Sequence, residues 1–169
     1  QDKIGIIGPN GVGKSTLLAK LHQLLSGKRE ISLGFMPQDY QETLQLDLSP
    51  VEFLSQTGHK EEIQKIQSHL ASLNFSYPEM HHQIHSLSGG QQGKLLLLNL
   101  VLRKPNFLLL DEPTRNFSPT SQPEIRKLFA NYSGGLVTVS HDRRFLKEVC
   151  TSIYNLTEHG LEVVDLQDL

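Results

Sequence analysis

The densest cluster of chemistry-bearing residues is Gly8-Pro9-Asn10-Gly11-Val12-Gly13-Lys14-Ser15-Thr16. Glycines let the backbone wrap an anion and aim its N–H groups inward. A helix opening at Lys14 adds the positive end of its dipole at the same place. Lys14 brings a full charge to β- and γ-phosphates, and the Ser15 hydroxyl is a hard oxygen ligand for Mg2+. The G-x-x-x-x-G-K-S spacing between a strand and a helix therefore predicts a nucleotide-binding phosphate loop. Farther on, Phe107-Leu108-Leu109-Leu110-Asp111-Glu112 ends an apolar run in two carboxylates. Asp111 is placed to reach Mg2+ through water, and Glu112 to polarise an attacking water as general base. An acidic turn after a strand is the plainer alternative.

Three weaker signals stand between and after these. Leu87-Ser88-Gly89-Gly90-Gln91 precedes a leucine-rich helix, and Ser88 and Gln91 have capping-box spacing. Two glycines at such a terminus leave N–H groups open to an anion, although a well-capped helix satisfies the same spacing. Gln38 follows a strand ending at Met36-Pro37. His141 follows the apolar run 136–140, where a strand end permits contact with a γ-phosphate. Taken singly, each also reads as an ordinary polar loop residue.

These groups need a scaffold, and hydrophobic periodicity supplies one. Residues 3–7, 31–36, 107–111, 136–140, 152–156 and 161–164 read as strands. Residues 14–25 carry Leu17, Leu18, Leu21, Leu24 and Leu25 at helical spacing, and Gly27 stops them. Ser49-Pro50-Val51-Glu52 reads as a capping box with proline at the first helical position. Ile63, Ile66, Leu70 and Leu73 form one helical face. Residues 90–103 form a helix buried on several sides. Ser121-Gln122-Pro123-Glu124 resembles another capping box, opening a helix to about residue 132, and 142–149 form a further helix. Alternating strands and helices predict an α/β fold with a mainly parallel sheet flanked by helices.

Composition narrows the classes. The 169 residues fit one domain, with 37% hydrophobic and 20% charged residues arguing against wholesale disorder. A net charge of −2 gives no global basic excess for nucleic acid. The single Cys150 excludes an intrachain disulfide and reads as a small buried residue. No apolar run approaches the ~18 residues of a membrane span. His81, His82 and His85 lack a fourth ligand nearby, so an exposed polar segment is the expectation there. Arg143, Arg144 and Lys147, like Arg126 and Lys127, read as solvated faces.

In order, Gly8 to Thr16, Gln38, Leu87 to Gln91, Leu108 to Glu112 and His141 resemble the nucleotide-binding domain of ATP-binding cassette (ABC) proteins, over nearly the whole chain. The resemblance implies a P-loop ATPase fold in which a small helical subdomain, about residues 42–100, carries the signature motif. It implies ATP and Mg2+ as cofactors, with Ser15, Gln38 and Asp111 around the metal and Glu112, Gln38 and His141 in catalysis. It also implies a head-to-tail pair with a second ABC domain, in the same polypeptide or as a homodimer. Each ATP would then lie between one phosphate loop and the Ser88, Gly89, Gly90 and Gln91 of the other domain.

Within that family the chain most resembles the ABC-F group, which is soluble and acts on the ribosome. The carriers are Ser140-His141-Asp142-Arg143-Arg144-Phe145, the short stretch from Ser15 to Gln38, and Phe35-Met36-Pro37-Gln38-Asp39-Tyr40. This implies a cytoplasmic protein with two cassettes, of which this is more like the second, and a ribosome or rRNA partner in translation or antibiotic resistance. The alternative is the ATPase subunit of a membrane transporter, with a transmembrane partner. DNA-repair and chromosome-structure ATPases are disfavoured, because only residues 39–87 separate Gln38 from Ser88. After Glu112-Pro113-Thr114 the group continues Asn-His-Leu-Asp, whereas here Arg115-Asn116-Phe117-Ser118 follows. The missing aspartate puts communication across the pair in doubt. Cassette domains also carry an antiparallel β region, with an adenine-stacking aromatic, before the phosphate-loop strand. Here that strand begins almost at Gln1, so the expectation is a domain lacking that region, with affinity resting mainly on the triphosphate.

Overall fold

A computed structural model describes residues 2–40 and 43–169. The chain divides into two compact units: Gln1–Gln38 with Lys104–Leu169, and Asp39–Arg103.

The first unit is built on a six-stranded sheet. Its strands are β1 (Lys3–Ile7), β2 (Leu33–Met36), β3 (Phe107–Asp111), β4 (Gly135–Val139), β5 (Ser152–Thr157) and β6 (Gly160–Val164). They lie in the order β2-β3-β4-β1-β5-β6. The first five are mutually parallel, and β6 returns antiparallel to β5 across the His159-Gly160 turn. The expected mainly parallel α/β sheet is therefore present. Buried strands of this kind read as near-continuous Ile, Leu and Val, as 107–110 and 136–139 do.

Helix α1 (Lys14–Leu25) lies on the sheet, where Leu18 joins Ile6, Leu109, Val137 and Val139 in a buried cluster. Glycine at Gly5 is fixed by close packing: a Cβ there would sit 2.6 Å from Ile153 Cδ1 and 2.7 Å from Leu146 Cδ2. Two more helices belong to this unit, α6 (Gln122–Ala130) and α7 (Arg143–Val149). They meet through an edge-to-face pair, Phe129 and Phe145, and an Arg126–Glu148 ion pair at 2.9 Å. Lys3 is buried, and its ammonium donates to the carbonyls of Phe129 and Ala130, closing the C-terminus of α6. Burial lowers the Lys3 pKa.

Sequence and structure part at α6. Ser121 does not form the expected capping box: its backbone is helical and its side chain caps nothing. Its amide already donates to the Ser118 carbonyl, and its hydroxyl lies 3.0 Å from Ser118 Oγ. A preceding turn has claimed the groups a cap would use. The helix also ends at Ala130, two residues before the expected Tyr132.

The second unit holds helices numbered in chain order as α2 (Pro50–Leu54), α3 (Lys60–Ser72), α4 (Tyr77–His81) and α5 (Gly89–Arg103), with a 3-10 turn at Ile84–Ser86. Helices α2, α3 and α4 pack on one another. Ser49 and Glu52 cap α2 reciprocally, as their spacing predicts, and Ser76 and Glu79 cap α4 in the same way. The Ser49 box satisfies N–H groups at the helix start that have no intrahelical partner. In α5, Leu95, Leu96, Leu97, Leu98 and Leu100 are all buried. Among the described residues, no helix is long and apolar enough to cross a membrane.

Candidate functional site

The parallel sheet places the sequence candidates together because their strands all point one way. Lys14 follows β1, Gln38 follows β2, Asp111 ends β3 with Glu112 next, and His141 follows β4. Strands β2, β3, β4 and β1 are adjacent, so all these positions reach the same end of the sheet. Ligands of open α/β sheets bind at that carboxyl end. A cleft of about 690 Å³ opens there, lined by the phosphate-loop residues Asn10, Gly11, Gly13, Lys14, Ser15 and Thr16. Gln38, Asp111, Glu112, Arg115, Val139 and His141 complete its wall. That volume suits a small-molecule ligand.

Left-handed glycines and the Lys14 ammonium shape the phosphate loop. Gly13, at the start of α1, has φ 102°, and no side chain caps the helix. A Cβ on Gly11 or Gly13 would meet nothing within 4 Å, so glycine here serves the left-handed backbone rather than crowding. Lys14 is buried, and its Nζ donates to the carbonyls of Gly8 at 2.8 Å and Pro9 at 2.9 Å. The ammonium thus bridges the loop whose N–H groups it flanks.

The acidic side of the cleft follows from the β3–β4 register. Asp111 pairs with Val139, and the Glu112 amide donates to the Val139 carbonyl at 2.9 Å. This sets Glu112 beside the chain leaving β4. The His141 amide donates to Glu112 Oε2 at 3.3 Å, and His141 Nε2 lies 3.6 Å from Oε1. Glu112 adopts φ 51°, a left-handed backbone uncommon for a residue with a Cβ, at a position that faces the cleft. Burial raises the Glu112 pKa and outweighs the hydrogen bond and charge of His141.

Asp111 Oδ1 is buried without a hydrogen-bond partner among the described residues. Such an orphan needs a reason. Asp111, the Ser15 hydroxyl and the Gln38 amide all line the cleft and offer only hard oxygen ligands, the donor set that suits Mg2+.

Ser88, Gly89, Gly90 and Gln91 belong to the second unit, at the start of α5. The Gln91 amide donates to Ser88 Oγ at 3.3 Å, and the Ser88 amide donates to Gln91 Oε1 at 3.0 Å, closing the box their spacing predicts. The Gln91 side chain also donates to Glu79 Oε1 at 2.7 Å. Glu79 Oε2 meanwhile accepts from the amide and hydroxyl of Ser76. One carboxylate thereby ties the cap of α4 to the cap of α5. Sequence reasoning passed over both Glu79 and α4, although Ser76-Tyr77-Pro78-Glu79 repeats the serine-to-glutamate spacing read at Ser49. In sequence Arg115 is a departure from the family pattern; its amide bond to the Glu112 carbonyl, three residues earlier, brings it to the cleft. His81, His82 and His85 are exposed, and the His81 ring meets Tyr77 at a tilt of 44° while its Nε2 lies 3.2 Å from Gln67 Nε2.

Comparison with known proteins adds to this geometry. The profile of the ABC transporter family matches residues 1–115. The probable ATP-binding protein YheS of Escherichia coli is 33% identical over 170 residues, covering 96% of this chain and 27% of YheS. An uncharacterized ABC transporter ATP-binding protein of Schizosaccharomyces pombe is 33% identical, covering 98% of this chain and 23% of its own length. The ABC transporter F family member 2 of Arabidopsis thaliana is 29% identical over 95% of this chain and 25% of that protein. The chain thus spans about a quarter of the length of these relatives. In fold it is similar to the ATP-binding cassette MJ0796, solved as a dimer in a post-hydrolysis state bound to ADP and Pi. The TM-score is 0.79 at 20% identity, covering 98% of this chain and 85% of that one.

Proposed function

The chain belongs to the ABC transporter family, and we propose that it binds ATP with Mg2+ and hydrolyses it in a site completed by a second cassette. One observation carries this reading: Lys14, Asp111, Glu112 and His141, from the ends of three adjacent parallel strands, line one cleft with an uncapped helix start. Residues Gly8 to Thr16 bind the phosphates through loop N–H groups, the helix dipole and the Lys14 charge. Ser15, Gln38 and Asp111 hold Mg2+, which when bound neutralises phosphate charge. Glu112 orients the attacking water and takes its proton, while His141 holds the carboxylate and reaches the terminal phosphate. The raised Glu112 pKa suits a base, since a carboxylate held above its ordinary range accepts a proton more readily.

Ser88 to Gln91 contact the ATP of the facing cassette, and residues 42–100 form the helical subdomain that carries them. The solved dimer of MJ0796 with ADP and Pi supports the pairing by analogy of fold. An ABC-F role, cytoplasmic and on the ribosome, is the reading we favour for the whole protein. The F-family relative and the Ser140 to Phe145 sequence support it. A membrane-transporter ATPase is the alternative. The test is ATP turnover and co-purification with the intact protein carrying Glu112→Gln. Turnover should fall about 10²–10⁴-fold with ATP still bound, and ribosomes should co-purify in ATP. Undiminished turnover removes Glu112 as base; integral membrane proteins in place of ribosomes favour the transporter.

A further inference from the structure

We infer that Arg115 is a specificity-determining residue of the cleft, contacting the terminal phosphate of the nucleotide held by the phosphate loop of its own chain. This rests on the ATP-binding reading above. Arg115 lines the same cleft as Lys14, Glu112 and His141. Its side chain has no ion-pair or hydrogen-bond partner among the described residues. Lys14, by contrast, is partly engaged by the loop carbonyls of Gly8 and Pro9. Arg115 is thus an uncommitted cation in a cleft that also holds two carboxylates.

Its placement is fixed from both sides. The Arg115 amide donates to the Glu112 carbonyl at 3.0 Å, which keeps it on the Glu112 and His141 side of the cleft. Thr114 is buried, and its hydroxyl bonds Asp142 Oδ2 at 3.2 Å; Asp142 in turn caps α7. Phe117 is buried two residues on. The Gln122 side-chain amide contacts the carbonyls of Thr114 at 3.4 Å and Phe117 at 3.3 Å, bracketing Arg115 and Asn116. The backbone is pinned while the guanidinium stays exposed and available. A planar guanidinium at that wall suits phosphate oxygens, and the Glu112 side is the one this reading gives to the terminal phosphate. Arg115 then adds to the affinity for a triphosphate and little to that for a diphosphate.

The test is titration of the intact protein, in Mg2+, with β,γ-imido-ATP and with ADP, as wild type, Arg115→Ala and Arg115→Lys. Arg115→Ala should weaken imido-ATP about three- to tenfold and leave ADP within about twofold. Arg115→Lys should recover part of the difference, keeping the charge without the fork. Unchanged ADP affinity also shows that the variant is folded. Equal loss for both nucleotides, or no loss for either, overturns the assignment while the ATP-binding reading stands. A wild type that binds neither nucleotide overturns both.

Discussion

The cleft of the sheet unit and three helix starts of the helical unit treat their polar groups in opposite ways. In the sheet unit, the groups around the cleft are left wanting. Gly13 opens α1 with no side-chain cap, Asp111 Oδ1 is buried without a partner, and Glu112 sits at φ 51° with its pKa raised by burial. In the helical unit, the starts of α2, α4 and α5 are provided for locally, while α3 begins after His59 without a side-chain cap. Three serines cap three helices reciprocally, at Ser49, Ser76 and Ser88. The Glu62 carboxylate accepts from the amides of Gln56, Thr57 and Gly58 and the hydroxyls of Ser55 and Thr57, and the bonds from Gln56, Thr57 and Ser55 hold its pKa down to about 2. Glu79 is lowered in the same way by Ser76 and Gln91. The difference teaches where a ligand is expected. Backbone and side-chain groups that the fold leaves unsatisfied mark a site that something else completes, whereas the Ser88 cap is satisfied within the chain and would meet a facing nucleotide with the start of α5 already formed.

That contrast can be broken or sharpened by substitution. The largest effect belongs to Lys14→Ala, which should weaken ATP binding about a hundredfold, read by nucleotide titration, while the α5 amides keep their exchange protection. An ATP affinity within a few-fold of wild type would show that the cleft does not depend on the buried Lys14 ammonium. Next comes the pH profile of turnover. Because Glu112 is raised, its acidic limb should lie above the ordinary glutamate range; a limb at the ordinary position would mean that the buried carboxylate is not the base. Ser88→Ala should cost about 1 kcal/mol of stability in denaturant unfolding and leave phosphate-loop affinity for ATP unchanged. A loss of affinity in the unpaired chain would contradict the self-contained character of that cap. Glu79→Ala should speed amide exchange at Ser88 and Gln91, and Glu79→Gln, which keeps an acceptor for Gln91, should restore it. Smallest is an acid dependence in the helical unit. Glu62 is depressed in the folded state, so its stabilisation is complete above the ordinary glutamate range and is lost as pH falls toward about 2. Glu62→Gln should flatten the melting temperature across that window.

Much of this is legible in the sequence. Lys14 to Leu25 is helical over its expected bounds, Phe107 to Asp111 is a strand as read, and the Ser49 and Ser88 boxes formed from their spacing alone. These features depend on hydrogen bonds and periodicity spanning three or four residues. Ser121 shows where such reasoning stops: its spacing was right, but a turn from Ser118 had taken its groups. The Glu79–Gln91 bond lay beyond it too, since it joins two helices whose approach is set by packing.

The sequence by itself determined the phosphate loop, the main alternation of strands and helices, and the Ser49 and Ser88 caps. Each of those is encoded by residues adjacent in the chain, where propensity and local hydrogen bonding decide. Only the tertiary structure decided that β1 lies between β4 and β5, and that β3 is registered with β4 so that Glu112 faces His141. Those placements come from pairing strands far apart in the chain, which burial of both sheet faces fixes and which no short window of residues contains.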